Sequence, residues 1–99
     1  MKEVTPIELK KMMDAHEDFQ LIDVREPWEV EEVTIGGLNI PMGNAILRAD
    51  EISKDKMVVV HCKAGMRSAS VIHTLEQKFG YTNLYNLKGG ILGYISEAS

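Results

Sequence analysis

The chain has 99 residues, 44% apolar and 26% charged, and its eleven Lys and Arg against fifteen Asp and Glu give a formal net charge of -4. A chain of this length buries roughly 65% of the surface its unfolded form exposes, which suffices for one core and a single domain over residues 1–99. The scattered basic residues exclude the cationic footprint of a nucleic-acid binder. No apolar run approaches the about 20 residues that span a bilayer, so no membrane partner is expected and the sequence reads as cytoplasmic.

"TPIE" at Thr5–Glu8 predicts a helix start, with Thr5 as cap, Pro6 in the first turn and Glu8 closing a capping box. Leu9, Met12 and Met13 then share a face, and the helix should run to about His16. "FQLIDV", Phe19–Val24, is short and apolar and reads as a buried strand. A helical turn or two is expected over Pro27–Glu32. Gly36 and Gly37 break the chain before "LNIP", a short strand closed by Pro41, and a small helix is expected over Asn44–Ala49.

"MVVV", Met57–Val60, is β-branched and apolar on both faces, as a central strand of a parallel sheet must be. From Ser68, the residues Ile72, Leu75 and Phe79 recur at helical spacing, and Gly80 stands where a left-handed cap ends a helix. "NLYNL" at Asn83–Leu87 predicts a last strand, Gly89 and Gly90 a turn, and Ile91–Glu97 a closing helix. Strands alternating with helices at this spacing imply an α/β fold, a parallel sheet with helices on both faces.

The only cysteine, Cys62, follows the strongest strand signal directly. One thiol cannot form an internal disulfide, and with the separated His16, His61 and His73 it makes no zinc site, so packing or reactivity is its role. Ligands of open parallel sheets bind outside the carboxyl ends of the strands. There a helix N-terminus with the small residues Ala64 and Gly65 forms an anion cradle. The same field, with the cations Lys63 and Arg67, should bring Cys62 below the ordinary thiol pKa of about 8.5.

Each residue also has a plainer reading. A lone cysteine ending a core strand can be a small buried hydrophobe, but it would gain nothing from a glycine loop, two cations and a helix start. Arg67 can be a solvated arginine, although a cation at a helix N-terminus opposes the dipole unless an anion offsets it. Lys63 can face solvent or substrate. His61 neighbours the cysteine, yet adjacent strand residues point to opposite faces, which favours packing over a Cys-His pair. Asp23 and Arg25 end the neighbouring strand, where a salt bridge or cap is expected, and Met66 and Trp28 can line the pocket mouth or simply pack.

"LIDVREPWEVEEVTIGGLNIP", "VVVHCKAGMRSAS" and "NLKGGILGY" together resemble the three signatures of single-domain rhodanese-like sulfurtransferases, in the usual order and spacing, from about Val4 to Glu97. The resemblance implies the rhodanese-like three-layer fold, with about five parallel strands. It also implies that Cys62 is a catalytic nucleophile that takes a sulfane sulfur from an anionic donor such as thiosulfate, holds it as a persulfide and passes it to cyanide or a thiol. The cradle carried over is Lys63, Ala64, Gly65, Met66, Arg67 and Ser68, and no metal or organic cofactor is implied. Two departures stand out: "VTIGGL" replaces the usual "GHIPGA" and is about one residue shorter, and Tyr94 stands where a Trp is common.

Related phosphatases place arginine six positions after cysteine, to surround a phosphoryl group, whereas Arg67 follows Cys62 by five and Ser68 takes the sixth. The shorter loop favours one sulfur atom over a phosphatase or arsenate reductase reaction. A sulfur-relay or redox partner module, with protein persulfides as donor and acceptor, is the other alternative, since a chain with one cysteine must meet its acceptor thiol elsewhere.

Overall fold

The computed structural model describes residues 1–99. Its strands are β1 (Glu3–Val4), β2 (Gln20–Asp23), β3 (Leu38–Asn39), β4 (Val58–His61) and β5 (Leu84–Leu87). All neighbouring pairs are parallel, in the order β1-β5-β4-β2-β3. The helices are α1 (Pro6–Asp14), α2 (Pro27–Glu32), α3 (Met66–Phe79) and α4 (Gly90–Glu97). Thr5 caps α1 through the expected capping box, accepting from Glu8 N–H while the Glu8 carboxylate accepts from Thr5 N–H.

Alternation along β4 divides the core. Val58, Val60 and the following Cys62 pack with Val71, Ile72 and Leu75 of α3, whereas Val59 packs with Leu9 and Met12 of α1 on the other face, where Tyr94 of α4 joins them. All four β4 residues are buried, as a central strand covered on both sides requires. This alternation sends Cys62 toward α3 and His61 toward the opposite layer. No helix is long and apolar enough to cross a membrane.

The elements differ from expectation in three places. β1 is only two residues long, too short for any periodicity, and it exists because Asn86 N–H donates to Lys2 O and Lys88 N–H to Val4 O. The helix expected over Asn44–Ala49 is absent: 3-10 turns at Met42–Asn44 and Ala49–Glu51 flank a non-helical stretch. A run this short does not nucleate alone, and the buried Tyr81 hydroxyl, within hydrogen-bond distance of Ala49 O and Ile52 O, fixes the turn conformation instead. Finally, α3 begins at Met66 rather than Ser68, with Gly65 at φ 110° as its cap, which draws the second half of the expected cradle into the first helical turn.

Candidate active site

The loop after β4 is anchored from outside by α4. Ile91 N–H donates to Cys62 O at 2.9 Å and Leu92 N–H to Lys63 O at 3.1 Å. Engaging these two carbonyls with α4 leaves the loop's own amides free to turn toward the sulfur. The close approach depends on Gly90, whose φ is 60° and whose added Cβ would overlap the Lys63 carbonyl and stand 2.7 Å from Ala64 N.

Gly65 N–H donates to Cys62 Sγ at 3.1 Å, and the Ser68 hydroxyl lies 3.3 Å from the same sulfur. Asn86 of β5 braces both residues, with Oδ1 2.6 Å from Ser68 Oγ and Nδ2 donating to Gly65 O at 3.1 Å. Burial pushes the Cys62 thiol up and is the largest single influence. The Ser68 hydroxyl and the N–H groups of Ser68, Gly65 and Ala64 together outweigh it and hold the pKa below the ordinary thiol value. Cys62 is 1% exposed, so its sulfur offers little more than a narrow approach.

Arg67 does not stand free. Its Nη1 and Nη2 donate to Glu29 Oε1 and Oε2 at 2.7 and 2.8 Å, a bidentate pair between α3 and α2. A cation in the first turn of α3 opposes the helix dipole, and the anion that offsets it is this carboxylate. The Arg67 hydrogen bonds hold the Glu29 carboxyl down to about 2, against the opposing effect of burial, with help from Glu26 N–H. Lys63 is exposed and makes no ion pair.

Asp23 and Arg25 form both the salt bridge and the cap. Arg25 Nη2 lies 2.7 Å from Asp23 Oδ2, while Nη1 and Nη2 also donate to Glu29 O and Val33 O at the end of α2. His61 is fully buried, its ring nitrogens have no hydrogen-bond partner, and its nearest carboxylate oxygen, Asp23 Oδ2, is 3.7 Å away. Its place in the opposite layer matches the packing reading. Trp28, Glu29, Lys63 and Leu92 border a shallow groove of about 90 Å³, whereas Met66 is 84% exposed and borders none. A larger groove of about 570 Å³, lined by Ile46, Leu47, Phe79 and Tyr81, shares no residue with the Cys62 loop.

Cys62, Gly65 and Ser68 are thus brought together at the carboxyl end of β4, with Ala64 N–H close enough to act on the sulfur. Glu29 and Asn86 are the two residues sequence reasoning missed. The three-residue spacing from Glu26 to Glu29 was the available signal for Glu29, since it marks a capping box, but nothing local shows that its carboxylate reaches α3.

The rhodanese-like domain family matches residues 5–97. A sulfurtransferase of Allochromatium vinosum is 35% identical over 95 residues, covering 95% of this chain and 88% of that protein. The uncharacterized protein YqhL of Bacillus subtilis is 43% identical over 91 residues, covering 91% of this chain and 69% of its own length. Among solved structures, SSP1007 of Staphylococcus saprophyticus superposes with a TM-score of 0.85 at 30% identity, over 99% of this chain and 97% of that one. With the five-stranded parallel sheet and its loop after β4, these matches make the chain a member of the rhodanese-like sulfurtransferase family.

Proposed function

We propose that the chain is a cytoplasmic enzyme that moves a sulfane sulfur from a donor such as thiosulfate, or a small or protein persulfide, to a thiol or cyanide acceptor. The Cys62 thiolate attacks the outer sulfur of thiosulfate, a new S–S bond forms, and sulfite leaves with the electron pair of the broken bond. The acceptor then attacks the outer sulfur of the Cys62 persulfide, and the thiolate returns as leaving group. Neither half-reaction needs a general base if Cys62 is already ionised, which accords with a buried His61 turned to the other layer.

The observation that supports this reading best is the convergence of the Gly65 N–H and the Ser68 hydroxyl on Cys62 Sγ. These donors stabilise negative charge on the thiolate and, after loading, on the persulfide. Lys63, Ala64, Met66 and Arg67 complete the proposed loop around the donor. A reducing cytoplasm would keep the thiol available.

The test is mass spectrometry after incubation with thiosulfate. Cys62 should gain one sulfur, about 32 Da, as the covalent intermediate of a double displacement, and the Cys62→Ser variant should gain none. Absence of the adduct in a protein whose Cys62 is open to alkylation overturns the reading.

A further inference from the structure

The loop's charge balance carries an inference that rests on the sulfur-transfer reading and narrows its donor class. Lys63, Arg67 and the Cys62 thiolate would together leave the loop with one formal positive charge. Glu29 cancels it. Its carboxylate spans Arg67 at 2.7 and 2.8 Å, and the neighbouring Asp23–Arg25 pair is already neutral in sum.

Glu29 is also hard to displace. It is the third residue of α2, where the helix dipole favours a carboxylate, and Oε1 also accepts the Glu26 N–H at 3.0 Å. Arg67 retains N–H groups beyond the two that Glu29 occupies, since a guanidinium has five. It can still position a donor, but without surplus charge to attract one.

We propose that Glu29 is a specificity-determining residue that sets the donor's charge class, making the Cys62 loop favour monoanionic or neutral sulfane-sulfur donors over dianions such as thiosulfate. A purely structural Glu29, one that only holds Arg67 in place, would affect all donors alike. The two roles separate when donors share the chemistry and differ in charge.

Methanethiosulfonate is such a partner for thiosulfate. Its outer sulfur is transferred in the same way, with methanesulfinate leaving in place of sulfite, but it carries one negative charge rather than two. The experiment measures single-turnover loading of Cys62 by each donor, by mass spectrometry, in the native protein, Glu29→Gln, Arg67→Gln and the double variant. Glu29→Gln should raise the thiosulfate-to-methanethiosulfonate rate ratio about tenfold and Arg67→Gln should lower it by a similar factor, as expected for one unit charge acting on another at close range in a partly shielded site. The double variant should return to within about threefold of the native ratio, because the two changes cancel.

In the native protein, thiosulfate loading should not fall as salt rises, since a loop without surplus positive charge gives no attraction to screen. Equal ratios in all four proteins overturn the proposal, as does a native loading rate that drops about fivefold or more between low and physiological salt. A Cys62 that takes sulfur from neither donor overturns the transfer reading itself.

Discussion

Ser68 Oγ stands 2.6 Å from Asn86 Oδ1, tying the first turn of α3 to β5 beside the sulfur. A hydroxyl has one proton, and three acceptors compete for it: Asn86 Oδ1, Gly65 O at 3.2 Å and Cys62 Sγ at 3.3 Å. While Cys62 is a thiol it can donate to Ser68, whose own proton then serves Asn86. Ionisation leaves the sulfur an acceptor only, and the Ser68 proton becomes its stabiliser.

Ser68→Ala removes that proton and leaves burial, which favours the thiol, less opposed. The Cys62 pKa should rise, and the midpoint of the pH dependence of iodoacetamide alkylation should move up by about one pH unit, the equivalent of one hydrogen bond to a charged group. The pH dependence of alkylation gives the direction directly. An unchanged or lower midpoint would show that the amides of Ser68, Gly65 and Ala64 suffice.

Gly90→Ala tests how tightly α4 holds the loop. The new Cβ has no room against the Lys63 carbonyl, and φ of 60° is unfavourable for alanine. Left-handed strain and overpacking together predict a loss of about 2–4 kcal/mol in urea unfolding. Sulfur loading should fall as well, since Ile91 N–H and Leu92 N–H can no longer grip the same carbonyls. A variant with native unfolding and native loading would mean that the loop shifts freely.

These two sites also show where sequence reading reached its limit. The apolar run before Cys62 and the Ala64-Gly65 pair are local signals, and they place the thiol at the strand end where it stands. Asn86 and Glu29 act across the fold, on partners 18 and 38 residues away, so nothing in their own neighbourhoods reveals the contact. The family resemblance implies about five strands without locating β1, and no local signal marks Glu3–Val4, because this two-residue strand is defined by its partner β5. Nothing within the Asn44–Ala49 segment reveals that the distant Tyr81 decides its conformation, so the small helix expected there does not form.

The Glu29–Arg67 pair predicts acid sensitivity. The folded pKa of Glu29, about 2, lies below the ordinary 4.5, so the pair's stabilisation is complete above pH 4.5 and is lost as pH falls toward 2. The shift alone corresponds to about 3 kcal/mol. With a third of the Arg67 side chain exposed, solvent screening reduces this to about 1–2 kcal/mol. Urea unfolding at pH 7 and pH 3 should show Glu29→Gln to be less stable than the native protein at pH 7, with the difference shrinking at pH 3. A difference that stays constant with pH would sink this account.

His61 supplies a second acid-sensitive term with a different window. Burial pushes its pKa below 6.5, against the pull of Asp23, so the unfolded chain takes up the proton more readily than the folded one. Its neutral burial is fully stable above about pH 6.5 and loses stability as pH falls toward the folded pKa. Because neither ring nitrogen has a hydrogen-bond partner, His61→Leu removes no such bond and leaves Asp23 held by Arg25. At pH 7.5 the substitution should therefore cost less than about 1 kcal/mol. It should flatten the stability slope between pH 6.5 and 5, and sulfur loading at pH 7.5 should persist, since the ring packs in the layer opposite Cys62. Loss of loading in a stably folded His61→Leu protein would instead identify His61 as the base that ionises Cys62.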